Sequence, residues 1–402
     1  MKKKMYTTII ACLLVQLSVG IIYLWSIFSS KAVAAFAWNE AEAKMVSSYM
    51  LFAYVLGNLA GGFINDRKGS KFTCIVGVVV FSLGIASSAF VTENSVRMLY
   101  VSYCGLGGLG SGCAYGACIA CIQKWLPHRR GLAAGLAVSA FGLSSVVFAP
   151  LSQYLMVQYT NDLGVVNFRT VFLILGGVFF LVGILSCLFI SMPEGSPATS
   201  GGQAEPRSYT LGQAVKTAPF WCMFFYIFFS NGTWNLTVPL IRDLGMERGL
   251  SEALAVFCVS FTGVASSTGR LSVATASDYF GRTRTVAVFT TITFICALLL
   301  TKVVGIWYIV VVAIVAFAFG GPCATNAAIC TDFYGTRYSG SVYGVMMLAL
   351  GLSSIIFNTL ANLLLSGEPV ATFLMAAASA AVAVILMLVV GYFEKLKHQM
   401  TS

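Results

Sequence analysis

Charge is scarce in this chain. Of 402 residues only 9% are Asp, Glu, Lys or Arg, against roughly 25% in soluble domains, which excludes an ordinary soluble globule. Acidic residues are the scarcer sign, 14 against 24 basic, and none falls in the apolar part of any hydrophobic run. The intramembrane carboxylate that proton-coupled carriers commonly hold is therefore missing. Histidine is nearly absent too: His128 and His398 stand in separate polar segments and cannot build a site together. Segments of ~10 alternating residues, the mark of a membrane barrel, do not occur. No nucleophile–base pair and no metal-ligand cluster emerges, so neither catalysis nor a bound cofactor is expected.

What the chain has in quantity is apolar length. Hydrophobic residues make up 58% of it and the mean hydropathy is +0.87, so it reads as an all-α membrane protein. Twelve apolar runs, centred near residues 18, 55, 82, 110, 144, 181, 230, 264, 293, 317, 353 and 381, mostly reach the ~20 residues a helix needs to cross a bilayer. The start Lys2-Lys3-Lys4 imitates a signal peptide, but its apolar run extends to about Ser30 and similar runs follow, which makes it the first span. With both termini on one side, sixteen of the 24 lysines and arginines fall on that side and seven on the other. By the positive-inside rule both termini are cytoplasmic. The net charge of +10 follows from this bias and does not point to nucleic acid. The expected setting is a bacterial inner membrane, with the chain acting as a monomer. All twelve cysteines fall in apolar runs as small packing residues, the CxxC spacing of Cys118 and Cys121 included.

One stretch departs from the apolar rule. Leu254 to Ser277 reads as a single span, yet Arg270 lies in it about 12 Å from the end marked by Asp278, at ~1.5 Å per residue. That is near the middle of a hydrocarbon layer ~30 Å thick. A guanidinium there costs at least about 2.5–3.5 kcal/mol, and such residues face a cavity or a partner and mark pathways. The alternative is an arginine paired structurally to a helix terminus or an acidic neighbour.

The chain also repeats itself. A Pro-, Gly- and Ser-rich segment from Pro193 to Arg207 reads as a flexible linker, dividing the chain into halves at 1–191 and 218–402, with a cytoplasmic linker at 192–217. Asp66-Arg67-Lys68-Gly69 follows the second span, and Asp278-Tyr279-Phe280-Gly281-Arg282 follows the eighth. Arg130-Gly-Leu-Ala-Ala-Gly135 and Phe141-Gly-Leu-Ser-Ser145 recur as Ser339-Gly-Ser-Val-Tyr-Gly344 and Leu350-Gly-Leu-Ser-Ser354. Two motifs repeated at nearly one offset indicate parallel six-span repeats, an architecture that places a substrate site near the membrane midplane. Asp66, Arg67, Gly69, Asp278, Gly281 and Arg282 are the gate candidates, their charges able to meet helix termini; a solvated turn is the other reading. The fourth span is rich in glycine and alanine and suits close helix packing. Tyr115 stands on it as a lone large residue, its hydroxyl serving a substrate carboxylate or an interhelical bond. The aromatics Tyr23 and Trp25 lie mid-span in the first run and line a cavity or pack.

With twelve spans, two halves, a central linker and doubled Asp-x-x-Gly turns, the chain resembles a major facilitator superfamily transporter over its whole length. It is similar, more narrowly, to the oxalate:formate antiporters, which sit beside the monocarboxylate transporters. The residues that carry this are Gly20-Ile-Ile-Tyr23-Leu-Trp25-Ser26, Tyr115-Gly116, Lys124-Trp-Leu-Pro-His-Arg-Arg-Gly-Leu-Ala-Ala-Gly135, Arg270 with Ser277-Asp278, and Asp332-Phe-Tyr-Gly-Thr-Arg-Tyr-Ser339. The resemblance implies that Arg270 grips a substrate carboxylate with help from Tyr23 and Tyr115. It departs from the oxalate carriers in two respects. Their second cation, a lysine of the eleventh span, corresponds to Leu350, and that span has no lysine or arginine. The aromatics that box in oxalate are also replaced, at Phe319, Cys323 and Met347. A pocket with one positive pole suits a monocarboxylate of the lactate, pyruvate and formate class, carried by alternating access with a proton as candidate co-substrate or by anion exchange. Asn326 can meet a hydroxyl or keto oxygen, and Phe141 completes the candidate lining. Oxalate:formate exchange and a passive organic-anion channel are the alternatives.

Overall fold

A chain in lipid must satisfy every backbone N–H and C=O within itself, which leaves the α-helix as the spanning form for runs of this length. The computed structural model describes residues 2–36, 38–92, 96–161, 165–193, 208–364 and 368–399. Residues 194–207 of the expected linker lie outside the described residues. The helices are α1 (Lys2–Val19), α2 (Trp25–Phe36), α3 (Glu40–Lys68), α4 (Ser70–Ser87), α5 (Gly108–Trp125), α6 (Arg130–Gln158), α7 (Phe168–Leu188), α8 (Ala218–Thr237), α9 (Ile241–Glu247), α10 (Glu252–Phe280), α11 (Arg282–Leu299), α12 (Ile306–Tyr334), α13 (Ser339–Leu364) and α14 (Pro369–Gln399).

Among the described residues ten helices are long and apolar enough to cross a membrane, against the twelve expected. The first and seventh runs fall short, and both are interrupted. A 3-10 turn at Ile21–Leu24 separates α1 from α2, and another at Val238–Leu240 separates α8 from α9. Three lysines open α1, and Asn231 and Asn235 dilute α8. The interruption recurs at matching places in the repeat.

The doubled turns behave as their glycines require. Gly69 ends α3 at φ 81° and Gly281 ends α10 at φ 89°, a region that costs a residue with a Cβ.

Contacts group the chain into two compact units, one of Met1–Trp125, Ala140–Glu205 and Ser339–Gly344, the other of Leu126–Ser139, Pro206–Tyr338 and Val345–Ser402. The first is built around α5, whose small residues admit neighbouring backbones. A Cβ on Gly108 would lie 2.6 Å from the Met50 carbonyl oxygen, one on Gly110 2.6 Å from that of Gly77, and one on Gly112 would collide with that of Tyr54. Two helices thus press on α5, α3 from one side and α4 from the other. Cys74 and Cys118 pack there with Sγ atoms 3.5 Å apart. In the second unit, α10 and α12 approach where Gly269 meets the backbone of Phe317 and Gly320 that of Ser266. An apolar core of Ile241, Leu244, Tyr308, Val312 and Phe373 lies beside them.

Candidate functional site

Arg270 projects from the middle of α10 and is partly buried. Its Nη1 donates to the Val138 carbonyl at 3.4 Å, a long contact with α6 more than two turns from its start. Its Nε is buried without a hydrogen-bond partner, and no carboxylate pairs with it among the described residues. One turn earlier on α10, Ser266 Oγ is likewise buried and unpartnered. Cys323 stands half-buried on α12, the helix packed beside α10. On that helix Phe319, Cys323 and Asn326 follow at intervals of four and three, so they share one face. Phe319 stacks on Trp234 of α8, ring centroids 4.8 Å apart and planes 3° from parallel. Asn326 is 4% exposed, and its Oδ1 has no partner. A buried polar atom left unbonded costs about 1–3 kcal/mol. Three such atoms, Arg270 Nε, Ser266 Oγ and Asn326 Oδ1, fall on the packed helices α10 and α12.

Arg270, Phe319, Cys323 and Asn326 all belong to the second unit, the first on α10 and the others on α12. Also in that unit, on α13, Met347 is buried and Leu350 half-buried, and the helix carries no lysine or arginine. The first unit holds another group. Tyr115 is buried and packs edge-on against Tyr54 at 5.4 Å and Phe141 at 5.0 Å. Its backbone carbonyl accepts from Gln16 Nε2 at 3.2 Å. Tyr23 belongs to the 3-10 turn after α1; its side chain lies outside the described residues. Sequence reasoning missed Tyr54 and Trp234, both of which sit in aromatic-rich apolar runs where packing and lining cannot be told apart.

The gate candidates make the sharper geometry. Asp278 at the end of α10 accepts from the backbone N–H of Gly131 and of Leu132, each at 2.8 Å. Asp66 near the end of α3 accepts from the N–H of Gly340 at 3.1 Å and of Ser341 at 2.8 Å. Each carboxylate thus caps the N-terminus of a helix, α6 in one case and α13 in the other, where unsatisfied amides and the helix dipole favour negative charge. Glycine is needed at both docking points. A Cβ on Gly131 would lie 2.8 Å from Asp278 Oδ1, and one on Gly340 2.7 Å from Asp66 Oδ1.

Around Asp278 the clamp is reinforced. Arg282 Nη2 meets Asp278 Oδ1 at 3.2 Å, Arg282 Nε meets Asp332 Oδ2 at 2.8 Å, and Arg130 Nη1 meets Asp332 Oδ1 at 3.0 Å. Arg130 and Asp332 stood in the sequence only within motifs that carry the family resemblance, with no role assigned to either. Arg67 is exposed and, among the described residues, forms no ion pair.

Comparison with known proteins gives four findings. The profile of the Major Facilitator Superfamily matches residues 8–358. The oxalate:formate antiporter of Oxalobacter formigenes is 24% identical over 350 residues, 86% of this chain and 81% of that protein. Monocarboxylate transporter 11 of Homo sapiens is 24% identical over 349 residues, 84% of this chain and 69% of its own. Among solved structures, the major facilitator transporter FucP in its outward conformation superposes with a TM-score of 0.76 at 15% identity, covering 95% of this chain and 98% of that one, a likeness of fold.

Proposed function

Because the chain belongs to the major facilitator superfamily, we propose that it is a secondary active transporter moving a small monocarboxylate of the lactate, pyruvate and formate class by alternating access. One observation carries this reading: a guanidinium in the middle of a membrane helix, with a buried donor unused and no carboxylate partner among the described residues. A carboxylate on Arg270 forms charge-assisted hydrogen bonds and offsets the cost of the isolated cation, so the loaded carrier can occlude more readily than the empty one. Phe319, Met347 and Leu350 of the second unit keep the surroundings apolar, and with Leu350 in place of a second cation one carboxylate is bound. Tyr23, Tyr115 and Phe141 of the first unit are further substrate-binding candidates by resemblance. The two carboxylate clamps, on Asp66 with Arg67 and Gly69 and on Asp278 with Gly281 and Arg282, are the gates that release and re-form in each cycle. Two six-helix halves, 1–191 and 218–402, carry the motion about the linker at 192–217, in an inner membrane with both termini cytoplasmic.

The test is uptake of labelled monocarboxylates into proteoliposomes. Arg270→Ala abolishes it, and Arg270→Lys nearly does, since a point charge lacks the planar fork. Normal uptake by a folded Arg270→Ala protein overturns the proposal. Dissipating the pH gradient separates the coupling modes: uptake that persists by exchange against internal anion indicates antiport, and complete loss indicates proton symport.

A further inference from the structure

We infer that the chain binds an anionic phospholipid by its headgroup, in a cavity at the end of the first unit where α1 begins, independently of what it transports. The cavity has a volume of about 440 Å³, against the ~30 Å³ that one water takes up in the liquid. Its polar wall is Lys3, Lys4 and Thr7 of α1, Trp125 at the end of α5, and Ser191 just beyond α7. No acidic residue lines it.

Hydrogen bonds among three segments fix this wall. The Ser191 N–H donates to Thr8 Oγ1 at 3.2 Å, and the two hydroxyls lie 2.8 Å apart. Trp125 Nε1 donates to the Ser191 carbonyl at 2.9 Å. With Thr8 as the hydroxyl donor, Ser191 keeps its own hydrogen for a phosphate oxygen. The field has one sign. Helix ends carry about half a charge each, positive where α1 starts and negative where α5 and α7 end, so the dipoles leave about −0.5. Two ammonium groups outweigh this about fourfold. Lys71 adds to them, its Nζ donating to the Leu188 carbonyl at the end of α7 at 3.0 Å.

The apolar surroundings favour a lipid over free phosphate. Lys3, Thr7, Ile10 and Leu14 follow at intervals of four, three and four, so they share one face of α1, and all four are exposed. Leu181, Leu185 and Phe189 follow at intervals of four along α7 and are exposed as well. From Lys3 to Leu14 is about 16 Å at ~1.5 Å per residue, close to one leaflet of a hydrocarbon layer ~30 Å thick. A phosphate held at Lys3 and Lys4 therefore lays its acyl chains along exposed apolar stripes. Basic pockets between membrane helices take anionic headgroups in this way. A headgroup that also carries an ammonium finds no carboxylate in the lining and gains less.

Native mass spectrometry of the purified full chain in neutral detergent counts bound ligand during titration with dioleoyl phosphatidylglycerol, dioleoyl phosphatidylethanolamine or inorganic phosphate. The first phosphatidylglycerol is expected to bind at least about tenfold tighter than phosphatidylethanolamine, and inorganic phosphate not at all at the same concentrations. Lys3→Gln/Lys4→Gln should weaken phosphatidylglycerol roughly thirtyfold, the effect of two lysines at an anionic surface. Lys2→Gln/Lys68→Gln removes the same charge from exposed residues of the unit that do not line the cavity, and should change affinity by less than about threefold. Thr7→Trp fills the cavity with both lysines in place and should weaken binding at least about tenfold. Equal affinity for the two lipids, equal loss in the two double variants, unchanged affinity in Thr7→Trp, or inorganic phosphate binding as tightly as the lipid overturns the inference.

Discussion

Replacing Asp278 by alanine removes both acceptors that hold the start of α6, the ones bonded to Gly131 N–H and Leu132 N–H at 2.8 Å. Hydrogen bonds to a charged partner are worth about 1.5–3 kcal/mol each, so the pair contributes about 3–6 kcal/mol to docking. Water recovers part of this once the helix start lifts away, which makes about 3 kcal/mol the working figure, or roughly two decades in the docking equilibrium. Hydrogen–deuterium exchange reads it directly. The first amides of a helix have no intrahelical acceptor, and the first such bond here runs from Ala133 N–H to the Arg129 carbonyl at 3.0 Å. Protection at Gly131 and Leu132 is therefore the work of the carboxylate. In Asp278→Ala both amides should exchange roughly a hundredfold faster, while Gly340 and Ser341, held by Asp66, keep their rates. Asp66→Ala should give the reverse pattern. Unchanged exchange at Gly131 and Leu132, or equal loss at both clamps in either variant, would refute the reasoning.

Asp332→Asn leaves Arg282 and Arg130 without their shared anion. Those side chains are only 12% and 15% exposed, so a loss of about 1–3 kcal/mol is expected, seen as a lower melting temperature that added salt does not restore. Gly112→Ala drives a methyl group into the Tyr54 carbonyl and should cost at least about 1–3 kcal/mol as overpacking, with loss of folded yield in detergent as the readout. Gly177→Ala in α7 meets nothing within 4 Å and should be neutral or stabilising by up to about 1 kcal/mol.

Local chemistry made much of the fold legible. Apolar runs in lipid have only the helix available to them, so class and most spans follow from hydropathy. Gly69 and Gly281 could be placed at turns because a positive φ suits glycine above all. Two spans were harder. At Gly20, and again after Thr237, the helix breaks within a run that hydropathy reads as continuous, since composition averages over a window and does not register a single interrupted turn.

Of the candidate site, the sequence alone determined the depth of Arg270 and the absence of a second cation in α13, because a charge in hydrocarbon is conspicuous whatever surrounds it. It also marked both Asp turns and both glycine-led helix starts as repeated pairs. Only the tertiary structure decided that they join crosswise, Asp66 to Gly340 and Ser341, Asp278 to Gly131 and Leu132. These bonds span 274 and 147 residues, a separation at which no periodicity or propensity constrains the pairing. The same holds for Arg130, which counts as one of the positive-inside charges until packing sets it 3.0 Å from Asp332. It holds for Asn326 as well. Its burial without a partner belongs to the way α12 packs, and a polar residue in an apolar run looks the same in sequence whether a neighbouring helix satisfies it or leaves it open.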